Sequence, residues 1–424
     1  VNVEAIQTSF FPGDQVKPDW LEGEKVSEKT LFPFQVKAFD GLKHSLLSGN
    51  KRVMLKAPTA FGKTILSSHI VRSAIKKRKR VIFCVDAISL IDQTVKKFWQ
   101  DGIQAIGVIQ AQHEMTDNDQ PVQVCSVQTL RNRMIPPADL VILDEAHVWY
   151  KFYAEWMLKP EWENVPFIGL SATPYTRGLG KYFTDLIIPC TTQELIDAGY
   201  LSPFEVYGPS EPDLSSIPTV SGDYKQDSVG KVMDTPELIS DAVESWLEFG
   251  ENRPTLCFAV NCAHAKNLQK KFEVSGIPTA YMDAFTEIEE RREIEKEIKE
   301  GRIKVVCNVG VLTKGVDWPW ISCISLNRPT KSEILYQQII GRGLRTCEGK
   351  KNCIIIDHTK STALLGYVTH IDEKHTTLDM GKPKKASKST PKERLPSLCP
   401  KCKFVKDVGV HECPKCGFQP ETTK

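Results

Sequence analysis

From about residue 31 the chain alternates short apolar runs with amphipathic stretches. Residues 52–55 predict a buried strand and residues 62–77 a helix. Val81-Ile-Phe-Cys-Val85 is strand-like, and Ile88, Ile91, Val95 and Phe98 then recur at helical spacing. Further strands are expected at 122–126, 140–143 and 166–170. Such alternation predicts a parallel sheet covered on both faces. After Pro189 the pattern loosens. Residues 208–235 carry Gly, Pro, Ser and Asp with little periodicity and read as a connector or surface insertion. A second α/β series starts near Glu237, with strands expected at 255–260, 303–308, 321–326 and 352–357. A closing element follows through His370. Two α/β halves in tandem predict two lobes with a cleft between them. The divisions expected are an extension (1–30), a first lobe (31–205), a connector (206–236), a second lobe (237–370), a basic linker (371–396) and a cysteine module (397–424).

Composition adds limits. A chain of 424 residues with 41% apolar and 25% charged content has ample core for two or three domains. No apolar run reaches the ~18 residues of a membrane span, and residues 1–11 lack the pattern of a secretory signal. Lysine and arginine exceed aspartate and glutamate by 55 − 53 = +2, so global charge does not argue for a polyanion partner. Local runs are basic at 76–80 and 382–394, and mostly acidic at 287–300. Of thirteen cysteines, nine are scattered, and Cys84, Cys125, Cys257, Cys307 and Cys353 fall inside expected strands as small hydrophobes. That usage predicts a reducing compartment, the cytoplasm.

The chemistry begins at Leu55-Lys-Ala-Pro-Thr-Ala-Phe-Gly-Lys-Thr64. A strand, a tight turn closed by Gly62-Lys63-Thr64 and a helix N-terminus make a phosphate cradle, although Ala57 stands where the strict pattern begins with glycine. Lys63 is expected to reach the β- and γ-phosphates of ATP, and Thr64 to ligate Mg²⁺. Leu140-Val-Ile-Leu-Asp-Glu-Ala-His147 ends a strand in two carboxylates: Asp144 for Mg²⁺, Glu145 to orient or deprotonate the attacking water. Gly169-Leu-Ser-Ala-Thr-Pro174 and the stretch 308–317 also end apolar runs. Gln338, Arg342 and Arg345 share one expected helix, and arginines there could act as fingers on ATP held by the first lobe. Cys399-x₂-Cys402-x₁₀-Cys413-x₂-Cys416 has the spacing of a tetrahedral structural zinc site. Aromatic residues 149–156 are expected to pack rather than bind.

These motifs, spread over 31–357, resemble those of superfamily-2 helicases and translocases. The resemblance implies two RecA-like lobes followed by a zinc ribbon. It makes Phe32-Pro-Phe-Gln35 the adenine-reading motif, with Gln35 at the nucleotide. Ser171 and Thr173 become relays between ATP and nucleic acid. Gln93, Ser126, Gln128 and Thr129 become first-lobe strand contacts, and Thr313 and Asp317 members of a second-lobe motif. Stretches 199–204, 308–319 and 327–345 are most similar to the RadD-like DNA-repair helicases. Ala60, and Asp283-Ala284, stand where that family commonly has glycine. The expected function is that of a nucleic-acid-dependent ATPase, a DNA helicase or translocase in repair or recombination. Single-strand-binding or repair proteins are the expected partners, with no membrane. A restriction-type translocase subunit and an RNA helicase are the enzyme alternatives; an ATP-gated clamp that does not move is the alternative from another class.

Overall fold

The computed structural model describes residues 18–21, 24–313, 315–381 and 395–420. Most of the N-terminal extension and the basic stretch 382–394 lie outside the described residues. The chain forms two compact units, Val1–Thr191 with His375–Lys385, and Thr192–Lys374 with Ala386–Lys424.

The first unit is built on seven parallel strands: β1 (Arg52–Lys56), β2 (Val81–Val85), β3 (Ile106–Ile109), β4 (Val122–Ser126), β5 (Leu140–Leu143), β6 (Phe167–Ser171) and β7 (Asp185–Ile187). Their order is β3-β4-β2-β5-β6-β1-β7. β2 to β6 are buried along their whole length, as a sheet covered on both faces requires. The core between sheet and helices gathers Met54, Cys84, Val141, Leu143 and Phe167 with Tyr153, Trp156 and Trp162. Trp149, Tyr150 and Phe152 pack against it, so the aromatic run after the acidic box is core. Residues 375–381 also belong to this unit. Lys56, only 2% exposed, donates from Nζ to His375 O at 2.8 Å. The His375 ring stacks on Tyr175 at 3.7 Å, and Asp379 accepts from the Gly178 N–H at 3.0 Å.

The second unit carries six parallel strands: β8 (Phe204–Tyr207), β11 (Thr255–Phe258), β12 (Thr279–Met282), β13 (Val305–Asn308), β14 (Cys323–Leu326) and β15 (Cys353–Asp357). The order is β12-β13-β11-β14-β15-β8. The stretch 208–235 is more structured than its composition suggests. It holds an antiparallel hairpin of β9 (Thr219–Val220) and β10 (Asp223–Tyr224), then a helix at Gln226–Met233. That helix buries Val229 and Met233 against Val260.

A two-stranded ribbon, β16 (Ser397–Leu398) with β17 (Val405–Lys406), packs on edge strand β8. Phe404 bridges to Tyr207 and packs against the second core. The Gly208 N–H donates to Lys403 O at 2.9 Å, and Lys415 pairs with Glu205 at 2.7 Å. Among the described residues, no helix is long and apolar enough to cross a membrane.

Candidate nucleotide site and metal centre

The turn after β1 is shaped by two left-handed residues, Ala60 (φ 66°) and Gly62 (φ 81°). Glycine takes that conformation freely; alanine pays a local strain. The Lys63–Ile75 helix starts directly after Gly62, aiming its first N–H groups into the turn. Gln35, fully buried at the start of the Pro33–Leu47 helix, braces this turn from behind. Its amide donates to Phe61 O at 2.9 Å and Gly62 O at 3.3 Å, while its Oε1 accepts from the Phe32 N–H at 3.0 Å. A Cβ at position 62 would sit 2.6 Å from Gln35 Nε2, so the glycine is also needed for space.

Asp144 and Glu145 follow β5 at the same carboxyl edge. The Asp144 N–H donates to Cys84 O at 2.9 Å, and Asp144 Oδ1 accepts from the Glu145 N–H at 3.0 Å. Glu145 is itself left-handed (φ 47°), which swings its carboxylate back toward the cradle. Its Oε1 pairs with Lys63 Nζ at 2.7 Å and its Oε2 lies 3.2 Å from His147 Nδ1. His147 Nδ1 lies 3.0 Å from Ser171 Oγ, which accepts from the Thr173 N–H at 3.0 Å. Lys63, Glu145, His147, Ser171 and Thr173 thus form one continuous polar chain from β1 through β5 to β6.

Electrostatics separates the two carboxylates. Burial, with Glu145 beside it, pushes Asp144 up to about 7. Burial also acts to raise Glu145, but the Lys63 charge and the His147 hydrogen bond outweigh it. Glu145 is held well below the usual carboxylate range. A divalent cation at Asp144 would supply the positive charge that this buried carboxyl lacks. Thr64 is the second residue of the cradle helix.

The other first-unit candidates lie at the same edge. Ser126 caps the short Val127–Leu130 helix after β4, and its hydroxyl donates to Thr129 Oγ1 at 3.0 Å. Gln128 donates to Asp86 O at 2.8 Å, joining the ends of β4 and β2. Gln93 sits on the Ile91–Gln100 helix, half-buried. Sequence reasoning gave His147 no role, although its place two residues after Glu145 was visible in the acidic box.

In the second unit Gln338 and Arg342 lie on the Glu333–Gly343 helix, with Arg345 just beyond it. Arg342 donates to Val316 O at 2.8 Å and Thr313 O at 2.5 Å. Arg345 donates to Val316 O and faces Asp317 Oδ1 at 3.5 Å. The two arginines thereby tie Thr313, Val316 and Asp317 to this helix.

The four sulfurs of Cys399, Cys402, Cys413 and Cys416 lie within 4.8 Å of one another. Cys399 and Cys416 are 3.7 Å apart and Cys402 and Cys413 are 3.6 Å apart. Tetrahedral zinc with ~2.3 Å bonds needs sulfurs roughly 3.8 Å apart, so the four thiols fit that ion.

Residues 28–176 match the family described as type III restriction enzyme, res subunit, and residues 236–347 match the helicase conserved C-terminal domain. IRC3 of Saccharomyces cerevisiae, named as an ATP-dependent helicase, is 30% identical over 78% of this chain. The chain spans 52% of that relative's length. A 51.5 kDa protein of a Lactococcus phage is 28% identical over 86% of this chain and 77% of its own. The type ISP restriction-modification enzyme LlaBIII bound to DNA shares the fold at a TM-score of 0.60. It is 17% identical, over 78% of this chain and 28% of that one. Two parallel α/β sheets, a phosphate cradle facing an Asp-Glu-Ala-His edge and matches to both helicase halves agree: the chain belongs to the superfamily-2 helicases.

Proposed function

We propose that the chain is a nucleic-acid-dependent ATPase that moves along or unwinds DNA. The observation that carries this reading is the polar chain from Lys63 through Glu145 and His147 to Ser171 and Thr173. It joins the phosphate cradle to the edge where the resemblance puts nucleic acid. Lys63 neutralises charge on the β- and γ-phosphates, within the cradle closed by Gly62 and braced by Gln35. Mg²⁺, held by Thr64 and Asp144, would supply further charge neutralisation. Glu145, kept ionised by Lys63, accepts the proton of the attacking water. His147 links that carboxylate to Ser171, so a shift at Ser171 or Thr173 changes the base. Gln338, Arg342 and Arg345 are assigned to the nucleotide, while Gln93, Ser126, Gln128, Thr129, Thr313 and Asp317 are assigned to the strand.

Zinc at the four cysteines is proposed as structural, since four thiolates leave no open position. The nine scattered cysteines, with the other four at metal-ligand spacing, support a reducing compartment such as the cytoplasm. DNA is favoured over RNA by the resemblance to RadD-like DNA-repair helicases and by the match to the restriction-enzyme family. A role in repair, as in RadD-like helicases, rests on resemblance alone. A restriction-type translocase subunit is equally supported by the match over residues 28–176. Displacement of streptavidin from biotinylated DNA separates a motor from a clamp. ATP-dependent displacement is expected; DNA-stimulated hydrolysis with no displacement would leave the clamp.

A further inference from the structure

The loop after β14, residues 327–331, is fixed at both ends. Asn327, buried, donates from its side chain to Ser325 Oγ at 2.8 Å, and its N–H donates to Phe258 O at 2.9 Å. Thr330 is fully buried, and its hydroxyl donates to Asp223 Oδ2 at 2.8 Å. The Lys331 N–H donates to Asp223 Oδ1 at 2.7 Å, and Lys331 Nζ lies 4.4 Å above the Tyr224 ring. The hairpin of β9 and β10 is thereby latched to this loop through one carboxylate.

Between the anchors stands Arg328. It is half-buried, and among the described residues it makes no hydrogen bond and no ion pair. A Cβ at Gly310 would lie 3.9 Å from Arg328 Nη1, so the guanidinium lies alongside the turn after β13. In that turn the Thr313 hydroxyl donates to Gly310 O at 2.5 Å. Burial lowers the pKa of Arg328 and the Asp223 charge opposes this, yet both Asp223 oxygens already serve the loop. A guanidinium stays protonated, so this is a partly desolvated cation without a hydrogen-bonded counter-ion. Its forked donors suit the oxygens of a phosphate.

All strands of this sheet are parallel, so the ends of β13 and β14 share the carboxyl edge, where open α/β sheets bind ligands. The Glu333–Gly343 helix, 11 residues long, begins beside Arg328 and carries Arg342 near its far end. Arg342 donates to Thr313 O, so both guanidiniums flank this one turn, whose Thr313 is assigned above to the strand.

Resting on the reading of the chain as a nucleic-acid motor, we propose that Arg328 grips a phosphodiester of the bound strand. It does so beside the Gly310–Thr313 turn, and Asp223 is the residue that positions it. Contact with the phosphate makes Arg328 a salt-sensitive anchor; Asp223 acts only through the loop.

The test uses the full chain and a fluorescein-labelled oligodeoxythymidine, titrated without nucleotide at several salt concentrations. Arg328→Gln should weaken binding several-fold and flatten the log–log salt slope by roughly 0.7, the value for one phosphate on a single strand. Arg328→Lys, which keeps the charge, should restore most of the slope. Asp223→Ala should weaken binding, and adding it to Arg328→Gln should cost little more, because the two act in series. Thermal melting of each variant separates lost contact from lost fold. Parental affinity and slope in a folded Arg328→Gln would overturn the assignment. So would an altered KM for ATP measured without nucleic acid beside an unchanged slope, which would give Arg328 to the nucleotide. Failure of the parent to bind any strand would instead overturn the motor reading itself.

Discussion

At the scale of residues, the account rests on how one lysine serves two anions. Lys63 is paired with Glu145 at 2.7 Å, and that charge helps keep the carboxylate ionised despite its burial. Lys63→Ala should therefore abolish hydrolysis in two ways, by losing charge at the β- and γ-phosphates and by loosening the base. Glu145→Gln keeps the shape and loses the proton acceptor, so it should bind ATP normally and turn it over very slowly. Removal of a general base typically costs ~10²–10⁴-fold. Nucleotide affinity by fluorescence and turnover by phosphate release check both variants. Turnover of either within a few-fold of the parent would remove the site assignment. The cradle, Asp144 and Glu145 were legible in the sequence because each ends an apolar strand at fixed motif spacing. His147's bridge to Ser171 was not, because it joins residues 24 apart through a fold that only β5–β6 pairing creates.

At the scale of elements, the cysteine ribbon is part of the second unit's edge rather than a free appendage. β8 is an edge strand, and Phe404, Lys403 and Lys415 cover it. Covering an edge removes unpaired backbone groups and a surface open to aggregation. Zinc at the four cysteines, as proposed, would supply the folding energy of so short a module. Removing the metal should uncover Tyr207 and the face that Phe404 shields. Burial of one such ring contributes about 1.5–3 kcal/mol, and in a unit of this size that shifts Tm by several degrees. Thermal melting of the full chain with and without a zinc chelator measures this. An unchanged transition for the second unit would mean that ribbon and sheet are energetically independent. The elements read correctly from sequence were the long, wholly buried runs such as β2, β4 and β15. β3, β7, β8 and β12 escaped notice because they are only three or four residues long, and β7, β8 and β12 are also partly exposed, so their apolar signal is weak. The hairpin at 219–224 escaped for another reason. Its order comes from Asp223 bonding a loop more than a hundred residues away, which no local pattern encodes.

At the scale of the whole molecule, two parallel sheets each bring their motif residues to one carboxyl edge. In the first unit that edge carries the cradle, the Asp-Glu-Ala-His run and Ser126, Gln128 and Thr129. In the second it carries the Gly310–Thr313 turn and Arg328. The chain also returns to the first unit after Lys374, where His375 and Asp379 lie against Tyr175 and Gly178, a few residues beyond Thr173. The central claim is that nucleic acid governs ATP hydrolysis at Lys63 and Glu145. The most direct measurement is the steady-state ATPase rate of the purified chain with single-stranded, duplex and forked DNA and with RNA, beside Glu145→Gln. The account predicts a low basal rate, stimulation of at least tenfold that is largest with DNA, and loss of that stimulation in Glu145→Gln. A rate indifferent to every nucleic acid, or stimulation that persists in Glu145→Gln, would contradict it.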